Sequence, residues 1–285
     1  MYPFVVCLTH DIDRVVKTYQ YISHALKALI QRKGRRVFYH LASLFGSNPY
    51  WNFKEIMRIE ESFDVRSTLF FLNESFPFKL FSVSSWNRSL GYYKFLDPKI
   101  REIIKTFDRG GWEIGLHGSY NSYRNLALLK SEKHALEEIV GHEVIGIRQH
   151  YLNLVIPDTW RLQKEVALKY DASLGIKNNV GFPENHYHPF RDEASGMVVL
   201  PLAIMDKYLF ELSIHLDDAW NRCLAVIDEA EKKGALLVVL WHQRVFNEKE
   251  FPGYKLIYTK IIEECKRRNA LFKVGREVYE EFSDK

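Results

Sequence analysis

The stretch VVCLTHDIDRV, from Val5 to Val15, changes character halfway along its length. The residues from Phe4 to Leu8 are all apolar, which is typical of a strand buried on both faces in a parallel sheet. Thr9, Asp11 and Asp13 follow and would share one face of the strand if the extended conformation continues. Ligands of α/β folds bind beyond the carboxyl ends of the strands. The two carboxylates therefore indicate a metal ligand beside a catalytic base.

The rest of the chain alternates further apolar strand patterns with helical periodicity. Strands are predicted in DVRSTLFFLNES, WEIGLHG, EVIGIRQHYL, YDASLGI, MVVLPLAIMD and ALLVVLWHQ. The intervening helices include residues 98–107, 131–140, 158–169 and 254–268. This alternation, with polar residues at the strand ends, predicts an α/β barrel-like fold. No linker divides the chain, so residues 1–285 are expected to form a single domain with a helical insertion at about 14–63.

Composition excludes several classes of protein. The chain has 285 residues, of which 47% are hydrophobic and 27% charged, and a net charge of +4 is too mild to indicate a nucleic-acid partner. Cys7, Cys223 and Cys265 lie in apolar strand or helix patterns and are expected to be reduced and packed. No apolar run has transmembrane length, and the first strand begins almost at Met1, which leaves no room for a signal peptide. A cytoplasmic protein is expected, while nothing in the sequence indicates its oligomeric state.

Ionisable or hydroxyl side chains follow several of the predicted strands. They are Asp11, Asp13, His117, Arg148, His150, Asp171, Ser173 and His242. Any single one could be a hydrogen-bonded structural residue or a turn former. One barrel, however, would place all of them on the same rim. Together they indicate metal-assisted hydrolysis, in which a carboxylate and an imidazole hold the ion, a second carboxylate accepts a proton and a second imidazole donates one.

The order of these pieces resembles that of the NodB-homology polysaccharide deacetylases. These metal-dependent enzymes remove N-acetyl or O-acetyl groups from sugars on a distorted (β/α) barrel. THDID stands where the family has Thr-Phe-Asp-Asp-Gly, as in divergent members with Asp-x-Asp, and the resemblance implies that Asp11 is the base and Asp13 a metal ligand. HGSYNSY stands for the second motif, which supplies two imidazoles four residues apart. His117 matches the first, and Asn121 occupies the position of the second.

The remaining three motifs appear as RQHYL, YDAS and LWH, so the resemblance spans residue 5 to about residue 275. It implies that Arg148 orients Asp11, that Asp171 orients the acid and that His242 is the general acid. It further implies that a backbone N–H near Tyr151 stabilises the oxyanion. Tyr151 and Trp241 are the residues expected to contact the sugar.

Asn121 leaves alternatives open for the metal site. The family's pattern implies Asp13, His117 and Asn121 as ligands of one divalent ion, expected to be Zn²⁺ and held more weakly than by a second imidazole. His150 is the alternative third ligand, because His10 points to the opposite face of its strand. A metal-free protein is the third possibility.

The resulting interpretation is a metal-dependent carbohydrate deacetylase, with two alternatives from other classes. DIDRV also fits the Asp-x-Asp motif of haloacid-dehalogenase-type phosphatases, with Asp11 as nucleophile. Those enzymes also need an acidic pair directly after a later strand. The candidate pair here, Asp217 and Asp218, opens a helix instead. A glycosyltransferase Asp-x-Asp motif would leave His117 and His242 without a role. The non-enzymatic alternative is a glycan-binding pseudoenzyme with a degenerate site.

A basic cluster lies inside the predicted insertion. It consists of Arg32, Lys33, Arg35 and Arg36. It could make peripheral contact with anionic lipid or with a phosphate-bearing glycan. The simpler alternative is a solvated helix end, where cations are favoured by the helix dipole.

Overall fold

The computed structural model describes residues 3–284, and its strands form one curled sheet. The strands are β1 (Val5–Ile12), β2 (Thr68–Leu72), β3 (Glu113–Gly118), β4 (Gly146–Gln149), β5 (Tyr170–Asp171), β6 (Phe190–Arg191), β7 (Val198–Val199), β8 (Leu202–Met205), β9 (Leu236–Leu240) and β10 (Leu271–Phe272). Their order is β6-β7-β5-β4-β3-β2-β1-β9-β8, with β10 paired to β1. Every pair is parallel except β6 with β7.

The sheet curls until its two sides meet. A parallel bridge between Gly175, just after β5, and Leu202, in β8, joins the two sides. This closure makes the structure a distorted (β/α) barrel, and it confirms the fold class predicted from the sequence. Because neighbouring strands are parallel, their carboxyl ends lie on one rim.

Eleven helices accompany the strands over residues 3–284. They are α1 (Gln20–Ile30), α2 (Gly34–Ala42), α3 (Phe53–Ser62), α4 (Val83–Ser89), α5 (Pro98–Arg109), α6 (Leu126–Val140), α7 (Asp158–Glu165), α8 (Asp206–Glu211), α9 (Leu216–Lys233), α10 (Tyr254–Arg267) and α11 (Gly275–Ser283). No helix of the described chain is both long and apolar enough to cross a bilayer.

Local signals explain where several helices begin and end. The Asp97 side chain caps α5 by accepting from the Lys99 N–H at 2.9 Å. Asn125 does the same for α6, which therefore begins five residues before the predicted start at residue 131. Gly141 ends α6 with φ of 79°, a left-handed conformation that glycine adopts without strain.

Two layers of apolar packing surround the sheet. Val6 and Leu8 of β1 face the larger cluster shared with the outer helices, while Cys7 faces the smaller cluster inside the barrel. The strand is thus buried on both faces, as its unbroken apolar run predicts. Cys7 and the other two cysteines are free and buried, as expected.

Two departures from the predicted elements affect the strands and helices of the barrel itself. MVVLPLAIMD forms two short strands, β7 and β8, separated by Leu200 and Pro201, because proline cannot donate a hydrogen bond to a sheet. In the predicted insertion, α1 and α2 precede α3, whose residues Phe53, Ile56 and Ile59 are buried in the core. Helix α3 therefore packs as a helix of the barrel, and the added segment comes before it.

Candidate active site

A cavity of about 340 Å³ opens on the rim formed by the carboxyl ends of the strands. Its lining includes Asp11, Asp13, Arg14, Tyr92, His117, His150, Tyr151, His242 and Arg244. Asp11 lies at the end of β1, and His117 near the end of β3. His150 follows β4 directly, and His242 comes two residues after the end of β9. The barrel thus brings together side chains that are far apart in the sequence.

Asp13 lies at the centre of the site. Its Oδ1 is 3.1 Å from His117 Nε2 and 3.8 Å from His150 Nε2. Its Oδ2 is 2.9 Å from Arg244 Nη1 and 3.5 Å from His242 Nε2. Burial alone would raise the pKa of Asp13, but the surrounding imidazoles and the Arg244 guanidinium outweigh it and hold the pKa well below its usual value.

The two imidazoles beside Asp13 are held with one nitrogen turned toward it. His117 Nδ1 is 2.7 Å from the Arg148 carbonyl oxygen, and because a carbonyl only accepts, Nδ1 carries the proton. His150 Nδ1 is 3.3 Å from Glu74 Oε2, and this contact likewise turns the Nε2 of the ring toward Asp13. Both Nε2 atoms therefore face the Asp13 carboxylate, where the neutral ring would offer its lone pair to a metal. An Asp-His-His set with a carboxylate or carbonyl behind each imidazole suits a divalent metal.

Glu74 is a site residue that the sequence analysis missed. It lies two residues beyond β2, on the same rim, and is almost fully buried. Its carboxylate accepts from the backbone N–H groups of Tyr120 at 3.0 Å and Phe76 at 2.9 Å. Burial raises its pKa, but His150 and these donors outweigh that effect and lower it, so the carboxylate stays charged behind His150. Its position after a strand was the available signal.

Arg148 holds Asp11 at the edge of the cavity. The buried guanidinium donates from Nη1 to Asp11 Oδ1 at 3.0 Å and to Thr9 Oγ1 at 2.7 Å. Its Nε donates to the Ala172 carbonyl at 2.8 Å. Asp11 Oδ2 remains 3.6 Å from His117 Nε2. Arg148 thus makes a direct hydrogen bond to Asp11, the contact that its predicted role requires.

The partner of His242 differs from the expected one. His242 Nδ1 lies 2.8 Å from Asp206 Oδ1, and its backbone N–H donates to Asp206 Oδ2 at 2.8 Å. Burial would raise the pKa of Asp206, but His242 and Arg244 lower it overall. Asp206 begins α8 directly after β8, the strand paired with β9, which ends just before His242.

The prediction that Asp171 orients the acid needs correction. Asp171 accepts from Gln163 Nε2 and from the N–H and hydroxyl of Ser173, each at 2.8 Å, and it does not line the cavity. It lies on β5, which is not a neighbour of β9, so Asp206 takes the place expected for it.

Two further predicted residues lie away from the cavity. Asn121 is exposed at the start of a 3₁₀ turn, Ser122–Arg124, and does not line the cavity, so His150 replaces it in the candidate ligand set. Trp241 is fully buried against the rings of Phe210 and Tyr258. Neighbours in extended backbone point in opposite directions, so Trp241 enters the core when His242 faces the cavity. Tyr151, in contrast, is half-exposed and lines the cavity.

The helix-opening acidic pair does not support the phosphatase alternative. Asp217 and Asp218 are in the first turn of α9 and do not line the cavity. Asp218 accepts from the N–H of His215, the residue that caps the helix. The pair therefore serves the helix end, and the cavity is built from His117, His150 and His242 instead.

No family model matches the sequence, and no curated protein matches it either. Solved structures do match. A Mycobacterium smegmatis protein described as a polysaccharide deacetylase is 17% identical, with 98% of this chain and 90% of that chain covered and a TM-score of 0.61. The PuuE allantoinase is 14% identical, with 98% of this chain and 90% of that chain covered and a TM-score of 0.62. A peptidoglycan N-acetylglucosamine deacetylase is also 14% identical, with 98% of this chain and 94% of that chain covered and a TM-score of 0.53. The chain therefore has the fold of the polysaccharide deacetylases, as the order of its motifs predicts.

Proposed function

We propose that the chain is a divergent member of the polysaccharide deacetylase family and a metal-dependent hydrolase that removes an acetyl group from a sugar. The observation that carries this proposal is the convergence of three units on one cavity. They are the Asp13–His117–His150 set, Asp11 held by Arg148, and His242 held by Asp206. One neighbour of the same fold is named an allantoinase, so the fold alone does not select the substrate, and the site has to be argued from its own residues.

Asp13, His117 and His150 would hold the metal, for which Zn²⁺ suits the nitrogen and oxygen donors. Their donor atoms lie within 4.8 Å of one another. A bound divalent ion would polarise water and the acyl carbonyl and so supply Lewis-acid chemistry. The neutral tautomers that His117 and His150 need are set by the Arg148 carbonyl and by Glu74.

Asp11 is the proposed base. Arg148 binds its Oδ1 and leaves Oδ2 to accept a proton from the attacking water. The bond to Arg148 also fixes the rotation of the carboxylate, so that the accepting oxygen stays in the cavity. Tyr151 lies at the cavity edge with φ of 59°, and its backbone N–H is the proposed donor to the oxyanion.

His242 is the proposed acid. The Asp206 carboxylate accepts from Nδ1–H, which leaves Nε2 in the cavity to carry the proton that the leaving nitrogen or oxygen takes up. Asp206 thereby orients the ring and stabilises its cationic form. The two proton-transfer groups thus face one cavity from β1 and from the segment after β9.

A second candidate function is a glycan-binding protein without turnover. The observation that favours it is the ion pair between Arg244 Nη1 and Asp13 Oδ2 at 2.9 Å, which gives Asp13 a cationic partner without a metal. Both candidates use the same cavity and predict sugar binding. Only the hydrolase predicts acetate release and a requirement for metal.

The experiment measures acetate released from an N-acetylglucosamine oligomer and from an O-acetylated sugar. The protein is tested as purified, after chelation, and after Zn²⁺ is restored. Release should fall on chelation and recover with Zn²⁺, and Asp11→Asn should lower it by roughly 10²–10⁴, the range for one positioned proton-transfer group. Asp158→Asn, at an exposed carboxylate on α7, is the matched control and should change nothing. Sugar binding without acetate release under all three conditions would favour the binding protein and overturn the hydrolase.

A further inference from the structure

The segment between β1 and α3 is unusually rich in positive charge. Residues 14–47 contain seven Lys and Arg residues and no Asp or Glu. Two of the seven, Arg14 and Lys17, face inward, toward the cavity and toward Glu250. The other five are exposed: Lys27, Arg32, Lys33, Arg35 and Arg36. We call helices α1 and α2, their connecting turn and the 3₁₀ turn that follows α2 the basic hairpin (Gln20 to Phe45).

The apolar residues of α1 lie on the wrong side for an ordinary surface helix. Ile22, Leu26, Leu29 and Ile30 are exposed, the last at 83%. Their spacing of four, three and one places them on one face of the helix. The buried residues of α1 are Gln20, Ala25 and Ala28, so its buried apolar side chains are both alanines. A surface helix normally buries its large apolar side chains and exposes its polar ones. Helix α1 does the reverse.

The second helix and the turn after it repeat this arrangement. Phe38, Leu41, Leu44 and Phe45 are exposed, with Phe45 at 93%. The buried residue of α2 is the polar His40. Large apolar side chains displayed by two adjacent helices form the kind of surface that proteins use for binding. The basic hairpin thus combines exposed apolar groups with exposed cations.

The basic hairpin is anchored to the barrel, so this surface is not produced by a loose segment. The Glu250 side chain is almost fully buried and accepts from Lys17 Nζ at 2.7 Å, and its Oε1 is 2.9 Å from His24 Nδ1. Tyr50 donates to the same oxygen at 3.0 Å. These contacts hold the polar side of the hairpin inward. They also place it on the active-site rim, because the segment begins directly after Asp13.

We propose that the basic hairpin docks this protein on a membrane surface that contains anionic phospholipids. Exposed apolar side chains would enter the boundary between headgroups and acyl chains, while Lys27, Arg32, Lys33, Arg35 and Arg36 meet the phosphates. Charge argues against a second copy of the chain as the occupant, because an isologous contact would bring five exposed cations against five others. This inference does not rest on the proposed catalytic function.

The charge part is tested by sedimentation with vesicles. The full chain is mixed with vesicles of phosphatidylcholine alone and with vesicles that also contain phosphatidylglycerol, and the bound fraction gives a partition constant. Binding should require phosphatidylglycerol. The double variant Arg35→Gln, Arg36→Gln should weaken binding roughly 30-fold, because each basic residue near an anionic surface strengthens binding roughly 5-fold. The matched control is Arg109→Gln with Lys232→Gln, two exposed cations on α5 and α9, and it should bind like the unmodified chain.

The apolar part is tested with Ile30→Asn and Phe45→Asn together, which should weaken binding roughly 10-fold or more because buried apolar area is lost. Leu96→Asn with Ile214→Asn is the control, since these side chains are 86% and 87% exposed outside the hairpin. Thermal unfolding of each variant checks that the fold is kept, and sedimentation velocity gives the oligomeric state. The proposal is overturned if phosphatidylglycerol vesicles do not bind the chain, or if both control pairs weaken binding as much as the hairpin variants. Self-association that Ile30→Asn and Phe45→Asn abolish, without vesicle binding, would assign the surface to a second copy instead.

Discussion

His150 and Asn121 show how one residue changes the candidate metal site. Both follow strands whose ends lie on the rim, but only His150 lines the cavity, where its Nε2 is 3.8 Å from Asp13 Oδ1. Its ring is held by Glu74 from behind, so its lone pair is already directed. Asn121 is exposed and does not line the cavity. In the candidate ligand set, an imidazole therefore takes the third position, which the motif pattern assigns to an amide.

We predict that His150→Ala lowers the affinity for Zn²⁺ by at least about 10-fold, the lower end of the effect of changing even a group behind a ligand. Asn121→Ala is the matched control and should bind Zn²⁺ like the unmodified chain. Competition with a chromophoric chelator measures both affinities. The reverse pattern, with Asn121→Ala weakened and His150→Ala unchanged, would restore Asn121 to the ligand set.

At the scale of elements, helix α6 carries a carboxyl group into the structure below the rim. Glu132 accepts from the Ser119 N–H, just after β3, at 3.1 Å, and its other oxygen has no hydrogen-bond partner among the described residues. Burial, aided by the charge of Glu74, raises its pKa to about 7. The folded protein thus binds this proton at pH values where the unfolded chain has lost it, so the contribution of Glu132 to stability falls as pH rises toward 7.

We predict that Glu132→Gln removes this part of the pH dependence. The quantity compared is the free energy of unfolding of the variant minus that of the unmodified chain. This difference should be about 2–3 kcal/mol larger at pH 8 than at pH 5, because only the unmodified chain loses stability when the buried Glu132 carboxyl has to ionise. Urea unfolding at the two pH values measures it. Glu138→Gln, exposed on the same helix, is the control. An equal pH response in the unmodified chain and Glu132→Gln would show that Glu132 is ionised in the folded protein.

At the scale of the whole molecule, the barrel joins the two ends of the chain at one cavity. Asp11 lies near the end of β1 and His242 follows β9, and these strands are neighbours although more than two hundred residues separate them. Asp13 bridges the two sides, with His117 at its Oδ1 and His242 at its Oδ2. A base and an acid on opposite sides of one carbonyl should give a bell-shaped pH dependence of kcat/KM.

We predict that Asp11→Asn and His242→Ala respond differently to the leaving group. His242→Ala should lower turnover by roughly 10²–10⁴ on an acetamide, whose amine must be protonated to leave, and by much less on an activated aryl acetate. Asp11→Asn should be impaired on both substrates, because both need an activated water. Steady-state rates on the two substrates provide the measurement. Equal losses for His242→Ala on both would remove it from the role of leaving-group acid.

The amino-acid sequence by itself determined the fold class and most of the rim. Apolar runs such as Phe4 to Leu8 identify buried strands, because the burial of a strand depends on its own side chains. The first polar residues after each apolar run then mark where the strand ends. Parallel strands bring such ends to one rim whatever their order, so the sequence alone predicts that Asp11, Asp13, His117 and His242 lie close together, and they line one cavity.

Only the tertiary structure decided which side chains meet. The choice of Asp206 over Asp171 as the partner of His242 follows from strand order, since β8 and not β5 pairs with β9. The choice of His150 over Asn121 follows from the path of the chain beyond each strand, where no periodic pattern constrains the backbone. Contacts between loops of different strands depend on the closed barrel, and a linear sequence carries no local signal for them.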